Sequence, residues 1–132
     1  MAVTKKPTPF ELTILQVLWK EGPCSVRHVH DILSSSRPFA YTSTLKTVQI
    51  MQEKGLVLRE EVGRQHLYRA RHREHDTKRR LVGDLLDRAF GGSVPELMMQ
   101  ALASHRASPE DLKEIRRLLA AEQKKLQETD HD

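Results

Sequence analysis

Asparagine is absent from this 132-residue chain, and cysteine occurs once, at Cys24. A single thiol excludes an intrachain disulfide and any all-cysteine metal site. Cys24 therefore reads as a small, semi-buried residue beside a helix start rather than as a redox centre. Aromatic side chains are scarce at 5%, whereas charged ones make up 30%, the balance of a soluble, helix-rich protein. No apolar run approaches the roughly 20 residues needed to span a bilayer. The start, Met1-Ala-Val-Thr-Lys-Lys-Pro7, lacks the apolar stretch of a signal peptide. The expectation is a cytoplasmic protein with no membrane insertion. A Gly-rich phosphate loop, a His-Glu-x-x-His pattern and a nucleophile elbow are all missing. Carboxylates abound only on charged helices, where solvation explains them. No enzyme, no cofactor and no metal are expected.

What is present begins with charge. The net charge is +4 and is unevenly spread. Residues 1–71 hold 11 Lys/Arg against 6 Asp/Glu, and residues 72–132 hold 11 against 12. A basic half suits a polyanionic partner.

Helix starts are clearly signalled. Thr8-Pro9-Phe10-Glu11 is a capping box with proline at the first helical position. It opens a helix with Leu12, Leu15 and Trp19 on one face, ending near Gly22-Pro23. Ser25 caps a second helix with Val26, Val29 and Leu33 inside, which dissolves in Ser34-Ser-Ser-Arg-Pro38. A third helix runs from Tyr41 to Lys54, where Lys54 suits the negative end of the helix dipole and Gly55 stops it. Tyr41, Leu45, Val48 and Met51 form its apolar stripe. Thr42, Ser43, Lys46, Gln49, Ile50 and Glu53 point the other way. The N-terminal end of that outer face carries hydroxyls, an amide and a lysine but no acid, groups that bond to base edges and phosphates in a major groove.

Val57–Glu61 and His66–Ala70 flank Val62-Gly63-Arg64-Gln65, where Gly63 supplies the positive φ of a tight turn. Helix, stop, strand, basic tip and strand make the layout of a winged helix-turn-helix. The expected fold is mainly α with a small β-hairpin. A DNA-binding domain spans 5–71 and a helical dimerisation region 72–128. The candidate contacts to double-stranded DNA are Tyr41, Thr42, Ser43, Lys46, Thr47 and Gln49 on the helix and Arg64, Gln65 and His66 at the wing.

From residue 72 the character changes. His72–Phe90 reads as a charged helix with Leu81, Leu85, Leu86 and Phe90, stopped by Gly91-Gly92. Ser93-Val-Pro-Glu96 is a further capping box, opening a helix with Leu97, Met98, Ala101 and Leu102. Ser108-Pro109-Glu110-Asp111 opens the last helix, striped by Leu112, Ile115, Leu119 and Leu126; the terminal Glu128-Thr-Asp-His-Asp132 is expected to fray. Three apolar faces without a strand or a large core call for a second copy about a two-fold axis; the alternative is that these helices fold back on the winged domain. Leu81, Leu85, Leu97, Met98, Leu102, Leu112, Ile115 and Leu119 are the candidate interface.

These features in order resemble the penicillinase-repressor (BlaI/MecI/CopY) family of winged-helix regulators. The matching residues are Leu12 to Trp19, Tyr41-Thr42-Ser43 with Lys54-Gly55-Leu56-Val57, Gly63-Arg64 with Tyr68, and Leu81 to Leu102. The likeness covers about residues 8–120. It implies homodimers that repress from palindromic operators, with the Tyr41 helix in the major groove, the hairpin tip on the backbone and dimerisation through the C-terminal helices. It also implies a sensor protease linked to cleavage in those helices. Three departures stand out. Ile50 lies where the family commonly has arginine. The Asn-Phe bond cut in penicillinase relatives has no counterpart in a chain without asparagine. The C-terminal Cys-x-Cys pairs of copper-responsive relatives are missing too.

Two rival readings follow from the same residues. One is a winged-helix protein-interaction module that never binds DNA, which the acid-poor helix face and basic wing oppose. The other is a metal- or redox-responsive regulator using His72, His75 or Cys24. His72 and His75 would share a helix face with Asp76, but a metal site needs further ligands. His28 and His30 diverge on a helix, and Met98-Met99 reads as interface packing.

Overall fold

The computed structural model describes residues 6–36 and 38–129. Most of the N-terminal segment read above, Arg37 in the loop after the second helix, and the last three residues of the expected frayed end lie outside this range. Within it the order is α1 (Pro9–Glu21), α2 (Val26–Ser34), α3 (Tyr41–Lys54), β1 (Val57–Val62), β2 (Gln65–Ala70), α4 (Glu74–Ala89), α5 (Val94–Ser104) and α6 (Pro109–Thr129). Mainly helical with one antiparallel hairpin, this is a winged helix-turn-helix followed by three helices.

The caps explain the boundaries. The Thr8 hydroxyl accepts from the Glu11 amide at 3.2 Å, and a Glu11 carboxylate oxygen accepts from the Thr8 amide at 2.9 Å. Ser25 and Ser93 accept from the amides of His28 and Glu96. Ser108 and Asp111 bond reciprocally at 3.0 Å, closing a box at the start of α6. At the end of α3, Gly55 has φ 81°; its amide donates to Gln52 and the Leu56 amide donates to Met51 at 2.9 Å. That pair of bonds is a Schellman stop, with Leu56 and Met51 both buried.

The core collects Ile14, Leu15, Val17 and Leu18 from α1, Val26 and Val29 from α2, Val48 and Met51 from α3, and Leu56, Val57 and Tyr68 from the hairpin. The buried face of α1 is wider than the expected Leu12, Leu15 and Trp19, and Leu12 and Trp19 are only half-buried. The reason is that α1 packs against α2, α3 and β2 together. Two polar residues unforeseen in the core, His30 and Thr44, are also buried, and Leu33, Tyr41 and Leu45 are half-buried. Cys24 pairs with Tyr68 in an isolated antiparallel bridge, with N–O distances of 2.9 and 2.7 Å, which ties the segment between α1 and α2 to the hairpin. A Lys54–Glu11 ion pair at 2.8 Å ties the end of α3 to the start of α1.

Three expectations need correction. Val62 pairs with Gln65, so the hairpin turn is the two residues Gly63-Arg64, not four. Gly63 has φ 62° and Arg64 does not share the positive sign, the type II′ pattern that matches strand twist. The fourth helix begins at Glu74, leaving His72 outside it; helical spacing therefore does not relate His72 to His75. Instead the Trp19 indole donates to the His72 carbonyl at 3.0 Å. Finally, Glu128 and Thr129 are helical, and the Thr129 hydroxyl donates to the Lys125 carbonyl.

Two compact units divide the chain, one ending at Asp84 and the other starting at Leu85. No helix among the described residues is long and apolar enough to cross a membrane. The contrast with the winged core is sharp: α5 and α6, in the second unit, contain no buried residue, and neither does α4, most of which belongs to the first.

Candidate nucleic-acid interface

The outer face of α3 is built by subtraction. Val48, Met51 and Thr44 point into the core. At 3.6 residues per turn the opposite face is then Thr42, Ser43, Lys46, Gln49, Ile50 and Glu53, and all six are exposed. The first turn contains no acid. Lys46 has no hydrogen-bonding or ion-pair partner among the described residues. Thr47 sits at the margin of this face. It is half-buried, and its hydroxyl donates to the Ser43 carbonyl at 2.8 Å, which leaves it chiefly an acceptor.

Tyr41 has a different setting from the residues after it. Its half-buried ring meets His30 edge-on at 5.5 Å, and the Arg27 guanidinium lies 4.0 Å over its centre. The stacked cation is attracted by the ring quadrupole. Arg27 itself is exposed, on α2, beside the start of α3. Sequence reading missed it. The signal available was its place as the one Arg/Lys in α2, the helix that precedes α3.

At the wing, Arg64 occupies the turn and is exposed, with no carboxylate partner among the described residues. Gln65 and His66 are the first two residues of β2 and alternate to opposite faces of the hairpin. The three expected wing contacts are therefore not one patch. His66 lies 3.8 Å from Glu61 on its own face. Farther from the tip, Arg69 is held by Glu60 at 2.6 Å, while Arg59 has no such partner among the described residues.

The candidate interface residues of the C-terminal helices are all incompletely covered. Leu85, Leu102, Leu112 and Leu119 are 46%, 45%, 38% and 57% exposed, and Leu81, Leu97, Met98 and Ile115 are half-buried. Between α5 and α6 runs an open apolar groove of about 580 Å³, whose walls include Met98, Leu102, Ile115 and Leu119.

The two groups weighed for sensing have definite surroundings. The Cys24 thiol is buried, donates to the Gly22 carbonyl at 3.1 Å, and is pushed above its ordinary pKa by burial and then by the Glu21 charge. The His72 imidazole is pushed below its ordinary value, first by burial and then by the charges of Arg80 and Arg71.

Comparison with known proteins adds an independent line. The family described as penicillinase repressor matches residues 7–121. Transcriptional regulator BlaI of Mycobacterium tuberculosis, in strains CDC 1551 / Oshkosh and ATCC 25618 / H37Rv, is 30% identical over 124 residues; the match covers 91% of this chain and 87% of that protein.

Proposed function

This chain belongs to the penicillinase repressor family of transcriptional regulators, and from that premise we propose that it is a repressor that binds dyad-symmetric DNA operators as a homodimer. One observation carries the reading: an exposed helix face whose first turn holds no acid and which presents Lys46, on the same winged unit as Arg64 at the hairpin tip, neither cation having an ion-pair partner among the described residues. The α3 face enters the major groove, where Thr42, Ser43, Lys46 and Gln49 meet base edges. Arg64 contacts the phosphate backbone and Arg27, from α2, contacts it on the other side of the recognition helix. Phosphate contacts supply much of the affinity, and base contacts the choice of sequence.

The second copy is supported by the exposed leucines of α4, α5 and α6. A dimer on a promoter excludes polymerase by occupying its space. Derepression runs through a sensor pathway, though not by cutting an Asn-Phe bond, since the chain has no asparagine. Ile50, 38% exposed on the reading face, offers an apolar contact such as a thymine methyl in place of a charged one.

The test is footprinting on genomic fragments selected by the protein. Protection of two half-sites about one helical turn, roughly 10 base pairs, or a multiple of that apart is the expected result. Monomers protecting a single asymmetric site would defeat the dimeric reading, and selection of no fragment would defeat DNA binding.

A further inference from the structure

The start of α3 differs from the other capped starts in the fold. Thr8, Ser25 and Ser93 each cap their helix through a side-chain oxygen, whereas Ala40 at the start of α3 makes no side-chain cap bond. Something else must hold the first turn of the helix that presents the reading face. Directly beneath it lies a polar bond inside the core. A ring nitrogen of His30, Nδ1, and the hydroxyl of Thr44 are bonded at 2.9 Å. His30 is 8% exposed and Thr44 fully buried, so neither can touch DNA. The His30 ring is gripped edge-on by Phe39 at 5.2 Å and Tyr41 at 5.5 Å, and Phe39 meets Phe10 of α1 at 5.6 Å.

We propose that the buried His30–Thr44 pair is a positioning device that fixes the rotation of the recognition helix about its own axis and so sets which side chains face the operator. Apolar contacts between α2 and α3 are non-directional and tolerate sliding and rotation. A buried hydrogen bond is directional, and breaking it leaves an unsatisfied polar group in the core. Thr44 lies between Ser43 and Lys46 in the chain, so a small rotation at Thr44 moves both reading residues. One residue of rotation is about 100°, enough to carry Lys46 and Gln49 off the face altogether. Phosphate contacts from Arg27 and Arg64 tolerate such a shift better, because a guanidinium on a flexible stem can follow a backbone oxygen while base-edge bonds cannot.

The inference rests on the DNA-binding reading, and the experiment separates the two. Full-length wild type, Thr44→Val, Thr44→Ser and Phe39→Leu are compared on a duplex selected by the wild type and on random duplex of equal length and salt. Circular dichroism and urea unfolding are recorded alongside. Thr44→Val keeps the shape but removes the hydroxyl; it should lower the operator-to-random affinity ratio about fivefold, while random-duplex affinity changes less than twofold. Thr44→Ser should restore the ratio. A purely structural bond would lower the unfolding midpoint and leave the ratio alone, and that result overturns the proposal. Should Thr44→Val fail to fold, Phe39→Leu loosens His30 from the half-buried side and should lower the ratio by a smaller factor; an unchanged ratio in that folded variant likewise overturns it. A wild type with no operator preference would sink the DNA-binding reading itself, before any variant is measured.

Discussion

A lysine and an arginine of equal charge are expected to behave differently because of where the fold puts them. Lys46 is on the outer face of α3 and Arg64 in the hairpin turn, both exposed. Arg64→Ala should weaken binding to all duplexes alike and lower the slope of log affinity against log salt by about one unit. Arg27→Ala should do the same. Lys46→Ala should lose more on operator than on random DNA, by about 1–3 kcal/mol of discrimination. Salt titrations on both duplexes check this, and equal losses for Lys46→Ala would move that residue to the phosphate class. Cys24 carries the opposite kind of prediction. Its thiol is buried and bonded to the Gly22 carbonyl, and its raised pKa leaves less thiolate at neutral pH than an ordinary cysteine has. Alkylation by iodoacetamide in native buffer should be far slower than in urea, with operator affinity unchanged by mild oxidant. Rapid native alkylation coupled to loss of DNA binding would restore the redox-responsive alternative.

Helix ends were the most legible elements because they are written in local chemistry. Thr8, Ser25, Ser93 and Ser108 each place a hydroxyl where the first amides need an acceptor, and Gly55 places a positive φ where α3 must stop. The outer face of α3 was legible too, since Val48 and Met51 at helical spacing fix which side is inside. Partners across the fold were not. Thr44 sits at the spacing of a core residue, but its hydroxyl disguised it until His30 supplied the matching group from α2. The Cys24–Tyr68 bridge joins residues far apart in sequence and rests on main-chain atoms that any side chain would carry. Lys54 read as a dipole partner for its own helix, yet its ammonium also bonds Glu11 at 2.8 and 2.9 Å. Glu11 thereby serves two elements: it closes the box at the start of α1 and holds the end of α3. Glu11→Ala should cost about 2–4 kcal/mol in urea unfolding, because it removes half the capping box and strands a partly buried cation. Glu11→Gln, which keeps an acceptor for Thr8, should cost less. Equal losses would mean that the charge pair, not the cap, holds the two helices.

At the scale of the whole molecule, the winged unit has a core and the C-terminal helices do not. The residues with side chains most removed from water, among them Ile14, Leu15, Val48 and Met51, belong to α1, α2, α3 and the hairpin. Leu102, Leu118, Leu119 and Leu126 instead stand 45–63% exposed along α5 and α6. Leu102, Leu118 and Leu119 line the same open groove, and apolar surface exposed in this way is what a monomer avoids and an interface uses. Leu119→Asp should separate the proposed dimer while leaving the winged unit folded. Burying a leucine contributes roughly 1.5–3 kcal/mol, and a two-fold axis counts each substitution twice. Two buried carboxylates without partners would add several kcal/mol more unless they took up protons or water. Operator affinity should then collapse, because two modest half-site contacts no longer act together. Sedimentation of the variant, with its circular dichroism and operator affinity, makes the check. A variant that stays dimeric would move the interface away from the Leu112, Ile115 and Leu119 stripe, toward Leu81, Leu85 and Met98. A variant that dissociates yet keeps full operator affinity would break the link between dimerisation and repression, since a single winged unit would then suffice to hold the site.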